Sequence, residues 1–335
     1  MKQNDAIILT LAYPETIVMV ADEWYSKYLH VVGVGKKNYV RAGHAALVLI
    51  EKSTGILEYH DFGRYITPEP YGRVRGKKTD TELDFPLKAE IENNTILNLE
   101  DILKFLATHP KLTHGEGKLV ASLCTFVNYE KARQHIDDMQ AEEFIIYAAF
   151  KKVACNCARF VTDALIASVT NNEIVAKLKR SKWFTPSTIG NVVIADTEQR
   201  IYEVDINGNI GKFSSNTSKE NRRLFLDRLR EYRPNFIGTL KPKENAEKAN
   251  HAQWLSGIAA GAWFELYSKN EDGQYRFRRV SPDGHIDIDG LFEIDNQSFV
   301  YALDYKFVQY SNCLYFHVEQ NGQRYRFNFK EKLNA

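Results

Sequence analysis

The first apolar run of the chain, residues 6 to 20, is interrupted around Tyr13-Pro14 and predicts one or two strands about a turn. "GHAALVLI", residues 43 to 50, is a continuous apolar run of strand length. The turn "EKSTG" and the run "ILEYHDFGRY" come next, so the three pieces together predict a β-hairpin. "YGRVRGKKTDTE" is polar and predicts a loop. Helical spacing follows in "LEDILKFLATHP", closed by Pro110, and in the solvated amphipathic "NYEKARQHIDDMQAEE". In "VACNCARFVTDALIAS", Phe160, Val161, Ala164 and Leu165 recur at helical spacing and predict a helix over 158 to 168.

"RSKWFTPSTIGN" predicts a loop, in which "TPSTIGN" is either a plain turn or a segment returning to a cleft. "VVIADTEQRIYEVDINGNIGKF" reads as a hairpin, and residues 218 to 232 as a charged helix. "KPKENAEKAN", residues 241 to 250, is polar, charged and almost free of apolar residues, so it is the candidate linker. Beyond it the pattern changes to short alternating runs: "AWFELY", "QYRFRRV", "HIDIDGLFEI", "CLYFHVEQ" and "QRYRFNF". Turn-forming "NEDG", "SPDG" and "QNG" separate several of them, and such spacing predicts an antiparallel barrel or sandwich. The expected architecture is α+β, with a first domain over residues 1–240 (core about 5–170) and a β-rich domain over 251–335. A length of 335 residues agrees with two domains.

Composition narrows the function. With 44% hydrophobic and 26% charged residues, the chain is an ordinary globular one. A net charge of +1 excludes a nucleic-acid footprint spread over the whole surface, and no nucleic-acid partner is expected. The first residues lack a basic n-region and an uninterrupted apolar h-region. No stretch holds 18 uncharged apolar residues, so no membrane span is expected and the location is expected to be cytoplasmic. Four cysteines, at 124, 155, 157 and 313, are too few for a disulfide framework. No cofactor is expected, and the oligomeric state is left open.

The chemistry concentrates at Cys155 and Cys157. A structural zinc site needs a second pair of ligands that the sequence lacks, and a thioredoxin-type pair needs two intervening residues where there is one. A buried core thiol is the simple reading of Cys155. Cys157 differs because a helix starts at it. Helix N-terminal N–H groups favour thiolate and can hold an oxyanion. Such a nucleophile needs a base and a group that orients the base. Of the nine histidines, His44 opens an apolar strand directly after Gly43, where it is either a core histidine or a base. On the partner strand, alternation puts Glu58 and His60 on one face and Tyr59 and Asp61 on the other. Each of Glu58, His60 and Asp61 is a candidate to orient an imidazole. Arg64, Arg73 and Arg75 follow the hairpin. They are either solvated loop residues or substrate-binding ones, since arginine suits forked recognition of carboxylate or phosphate.

"GHAALVLI", the hairpin to a polar residue, and "NCARFV" opening a helix far downstream together resemble the permuted, NlpC-like branch of the papain-fold cysteine hydrolase superfamily. Lecithin retinol acyltransferase-like proteins and several bacterial cysteine hydrolases belong to that branch. The resemblance covers about residues 5 to 170. Asn156-Cys157-Ala158-Arg159-Phe160-Val161 is similar to the Asn-Cys-x-x-Phe-Val signature of the acyltransferase-like members. It implies a circularly permuted papain-like domain, with Cys157 as nucleophile and His44 as base. It implies His60 as the third residue if the acyltransferase-like pattern holds, and Asp61 or Glu58 if another branch is the guide. The implied activity is thiol-based hydrolysis of an amide, isopeptide or thioester bond in a peptide-like or acyl substrate. The alternatives are acyl transfer from the same site and an inactive binding module. The acyltransferase-like members tend to carry membrane anchors and this chain shows none, which weakens a lipid substrate. The β-rich C-terminal part has no counterpart in the resemblance.

Overall fold

The structure is a computed structural model that describes residues 4–29, 31–234, 239–309 and 311–333. The chain begins with β1 (Ala6–Tyr13), β2 (Ile17–Met19), α1 (Ser26–Leu29), β3 (Tyr39–Arg41), β4 (His44–Glu51), β5 (Leu57–Gly63) and β6 (Tyr71–Arg75). It continues through a 3-10 turn at Thr81–Leu83 to β7 (Ile91–Glu92), β8 (Thr95–Ile96), α2 (Leu99–Thr108), α3 (Pro110–Thr113), β9 (Leu119–Val127) and α4 (Tyr129–Ala141). Then follow β10 (Ile145–Ile146), α5 (Cys157–Ser168), α6 (Asn172–Ser181), α7 (Thr188–Ala195), β11 (Tyr202–Val204), β12 (Ile210–Lys212) and α8 (Thr217–Phe225).

Eight of these strands form one antiparallel sheet in the order β10-β6-β5-β4-β1-β9-β11-β12. β1 is buried along its whole length, and β4 up to its last residue, because both faces of the sheet are covered. On one face Ala46, Val48 and Ile50 of β4 pack with Ile102, Leu103 and Leu106 of α2. On the other, Ala45, Leu47 and Leu49 pack with Phe160, Val161, Ala164 and Leu165 of α5. The period-2 alternation of a strand thus sorts β4 between two separate cores.

The rest of the chain has its own sheet and its own core. β13 (Gln253–Ser256), β14 (Gly261–Lys269), β15 (Tyr275–Val280), β16 (Ile286–Ile294), β17 (Lys306–Val308), β18 (Tyr315–Gln320) and β19 (Gln323–Lys332) form an antiparallel sheet in the order β13-β14-β15-β16-β19-β18-β17. Its two ends are stitched together by side chains. Gln253 donates to the Tyr305 carbonyl at 3.0 Å and accepts from the Phe307 N–H at 2.9 Å, and Gln309 donates to the Ser256 carbonyl at 2.8 Å. The result is a near-barrel around Phe264, Phe277, Phe292, Phe307, Phe316 and Phe327. Residues 241–250 run without strand or helix. They are mostly exposed, yet held against this sheet: the Trp263 indole donates to the Lys243 carbonyl at 2.9 Å, and the Ala249 N–H to Glu265 at 2.7 Å.

Several expectations are corrected. "YGRVR" is strand β6 rather than loop, with Arg73 and Arg75 buried, because each guanidinium finds a carboxylate inside. "TIGNVVIA" is helix α7, capped by Ser187, which accepts from the Gly190 N–H at 2.9 Å; its β-branched run packs in a core with Ala12 and Val120. Tertiary packing there overrides strand propensity. The charged helix near 218–232 stops at Phe225. "LVASLCTFV", which the pattern reading passes over, is the central strand β9 paired with β1.

Candidate active site

β4 and β5 pair with Ala46 opposite Asp61, and β5 and β6 with Asp61 opposite Arg75. One row across the sheet therefore carries Asp61 and Arg75 on one face, with His44 two residues from Ala46 on that same face. His44 in turn pairs with Tyr13 of β1, whose ring stacks on the imidazole at a centroid distance of 6.3 Å. The His44 Nε2 lies 3.1 Å from Asp61 Oδ2. Gly43, just before His44, has a φ of +76° and lies so close to α7 that a Cβ there would meet Thr188 Oγ1 at 3.0 Å. Glycine is thus required on two counts, and "TPSTIGN" does come back beside the histidine.

Cys157 is the first residue of α5. Asn156 caps the helix, its Oδ1 accepting from the Arg159 N–H at 2.9 Å while its Nδ2 donates to the Ala148 carbonyl at 3.2 Å. Arg159 bonds backward to the carbonyls of Ala149, Lys151 and Ala154, so the segment before the cysteine is fastened to the first turn of the helix. From this position Cys157 is near enough to the His44 ring to help raise its pKa. With Nε2 occupied by Asp61, Nδ1 is the nitrogen left for the sulfur. Cys157, His44 and Asp61 are therefore brought together in that order. Burial opposes the imidazolium charge, but the interactions with Asp61 and Cys157 outweigh it and raise the His44 pKa to about 9.

Asp61 is fully buried and surrounded by donors. Arg75 donates from Nε to Oδ1 at 3.0 Å and from Nη2 to Oδ2 at 2.7 Å. Tyr65 Oη donates to Oδ2 at 2.9 Å, and Tyr59 Oη lies 3.2 Å from it. Burial alone would raise the Asp61 pKa; Arg75 and the hydrogen bonds hold it well below the usual carboxylate range. The carboxylate is thus a fixed negative charge facing His44.

The other candidates go elsewhere. His60 points to the opposite face of β5, where Nδ1 lies 3.1 Å from the Arg75 carbonyl and Nε2 3.2 Å from an Arg133 nitrogen. Arg133 can only donate, so Nε2 accepts and Nδ1 carries the proton. Glu58 shares that face, bonded to Tyr129 at 2.5 Å and Arg133 at 2.7 Å. Neither is brought to His44. Arg64 is buried over the Tyr147 ring and donates to the Met19 carbonyl. Arg73 forks onto Asp80, both contacts at 2.6 Å. Both Arg73 and Arg75 border a cavity between the sheets, but their charges are spent on protein carboxylates. Cys155 lies in the apolar core beneath α5, where burial pushes its thiol pKa up. Among the described residues, no group of three or more His, Cys, Asp or Glu is placed to hold a metal ion, and no helix is long and apolar enough to cross a membrane. Tyr65 and Arg159 were not singled out as site residues by sequence reasoning, and nothing in the local pattern marks them.

Residues 8–174 match the family model described as type VI secretion system effector TseH-like, and residues 252–330 match the DUF6695 C-terminal domain. The second match begins one residue before β13, whereas the first ends ahead of β11 and β12 of the larger sheet. The crystal structure of the type VI secretion system effector TseH aligns with 63% of this chain and 99% of its own, at 18% identity and a TM-score of 0.40. No curated protein matches the chain.

Proposed function

We propose that the chain is a thiol hydrolase of the effector kind, built on a permuted papain-like arrangement in which the histidine strand precedes the cysteine helix. The carrying observation is the position of His44, beside Cys157 on one side and hydrogen-bonded to buried Asp61 on the other. The sulfur attacks the carbonyl carbon of an amide, isopeptide or thioester, with His44 holding the sulfur's proton. The carbonyl π electrons move onto oxygen, where N–H groups at the start of α5 face the developing charge. When the tetrahedral intermediate collapses, the bond to the leaving group breaks and His44 Nδ1 supplies its proton. Water then attacks the acyl-enzyme with His44 as base, releasing the acid and the free sulfur. Asp61 keeps the ring oriented and compensates its charge throughout. The effector role rests on the similarity of residues 8–174 to the TseH-like model.

The test is mass spectrometry of the full chain with activated thioesters and peptide amides. Accumulation of an acyl adduct on Cys157, absent in Cys157→Ala and slowed in His44→Gln, supports the reading. An unmodified Cys157 with both substrate types sinks it. Interception of the adduct by added amines in preference to water would redirect the reading to acyl transfer.

A further inference from the structure

Three segments far apart in the chain bring aromatic side chains together on one surface. The Tyr25 ring meets Phe150 edge-on at a centroid distance of 4.9 Å, Phe150 meets Phe184 at 4.8 Å, and Trp24 packs edge-on against Tyr25 at 6.0 Å. These contacts do not cover the rings. Trp24 is 81% exposed, Phe184 73%, and Trp183 beside it 87%. Val153, three residues after Phe150, is 84% exposed. Single exposed apolar residues are ordinary, but a contiguous patch with two tryptophans is not. The fold holds it open. Buried Glu23 accepts from the Ala149 N–H at 2.8 Å, the Phe150 N–H at 3.2 Å and Tyr25 Oη at 2.9 Å, which ties two of the segments together. Cations surround the rings. Lys151, Lys152, Lys179 and Arg180 are exposed on the same segments, and among the described residues no ion pair joins any of them to a carboxylate. Lys182 is taken by Asp163. Of the acidic residues on these segments, Asp22 is exposed and Glu23 is engaged by the groups just named.

We propose that this patch docks the protein on an anionic lipid bilayer. Trp24, Trp183, Phe184 and Val153 enter the headgroup region, and Lys151, Lys152 and Arg180 face the lipid phosphates. Tryptophan and tyrosine beside lysine and arginine is the composition of side chains that settle at a membrane–water interface. Unpaired cations are drawn to anionic headgroups. Lysine is depleted at protein–protein interfaces, and rings this exposed protrude instead of lining a groove for a peptide. A twofold pairing of two copies through this patch would set like charges face to face. Such surface contact needs no spanning helix. The proposal concerns a separate surface and does not depend on the reading of Cys157.

Sedimentation of the full chain with sucrose-loaded vesicles tests it, using phosphatidylglycerol and phosphatidylcholine in equal parts or phosphatidylcholine alone. Saturable binding to the mixed vesicles is expected, at least about tenfold weaker on phosphatidylcholine alone and weakening as salt is raised. Trp24→Ala combined with Trp183→Ala is expected to weaken binding to the mixed vesicles about tenfold or more. Lys151→Glu combined with Lys152→Glu is expected to remove most of the preference for the anionic lipid. Both pairs change exposed side chains only, so the fold is retained, and each is read independently of the other. No binding to the mixed vesicles, equal binding to both kinds, or an unchanged affinity in the tryptophan variant would overturn the proposal. Self-association that the tryptophan variant abolishes, without vesicle binding, would overturn it too and give the patch to a second copy of the chain.

Discussion

Arg75 grips Asp61 through two parallel contacts, 3.0 Å and 2.7 Å, on neighbouring strands of the larger sheet. Both side chains are almost wholly withdrawn from water. Removing one partner of such a pair strands a buried charge. Arg75→Met is therefore expected to cost about 3–5 kcal/mol in denaturant unfolding. It should also slow the reaction of Cys157 with iodoacetamide, because the freed Asp61 no longer holds His44 in place. A loss below about 1 kcal/mol, the range of an exposed pair, would show that the fork contributes little.

Cys157 is expected to be the thiol that alkylates first at neutral pH. Cys155 lies two residues away but is held neutral by burial, and Cys124 and Cys313 are pushed up to about 12 in their cores. Peptide mapping after a brief pulse of iodoacetamide should find the label on Cys157, and Cys157→Ala should remove the fast phase. Fast labelling that survives in Cys157→Ala would assign the reactive thiol elsewhere.

The pKa of His44 implies a pH dependence with a definite sign. Its folded value, about 9, lies above the ordinary 6.5. The folded state therefore binds the proton more tightly. The resulting stabilisation is fully present below about pH 6.5 and is lost as pH rises through about 9. The stability gap between the natural chain and His44→Gln should shrink by about 3 kcal/mol between those limits. Urea unfolding of both chains across that window measures it; a gap that widens with pH would reverse the assignment of charge.

The second sheet is docked against the residues that hold the site. The Ala259 N–H donates to the Arg64 carbonyl at 3.1 Å, and Tyr65 bridges to Ala260. A Cβ on Gly257 would meet the Arg64 carbonyl oxygen at 2.5 Å and the Ile66 nitrogen at 2.8 Å, backbone atoms that cannot swing away. Gly257→Val is expected to destabilise by about 1–3 kcal/mol, as overpacking does. It should also slow Cys157 alkylation by displacing Tyr65 from Asp61. Unchanged alkylation in a destabilised chain would make the docking purely structural.

Local pattern alone was enough for the elements whose burial follows one period. "HAALVLIE" is a strand and "CARFVTDALIAS" a helix because their apolar spacing matches a single face or a buried run. The five alternating runs beyond residue 260 are strands of the near-barrel for the same reason. Alternation also separated Asp61 from His60, since a strand must put neighbours on opposite faces. Pattern did not reveal β9, whose Ser122 and Thr125 interrupt the apolar signal but find partners in the fold, Ser122 bonding the Val192 carbonyl at 2.6 Å. It misjudged "TIGNVVIA" because the helix depends on a cap at Ser187 and on neighbours far along the chain.

The choice between Asp61 and His60 needed the tertiary structure. Both are polar, both sit on β5, and what separates them is which face the strand turns toward His44. The arginines show the same limit. In sequence Arg73 and Arg75 look solvated, because nothing nearby announces a partner. In the fold, Asp80 and Asp61 neutralise them, and a buried arginine becomes tolerable only once its carboxylate is supplied across a strand or a turn. Periodicity is a local property and could be read from the chain. Compensation of buried charge is a property of residues brought together from distant positions, and only the assembled fold decided it.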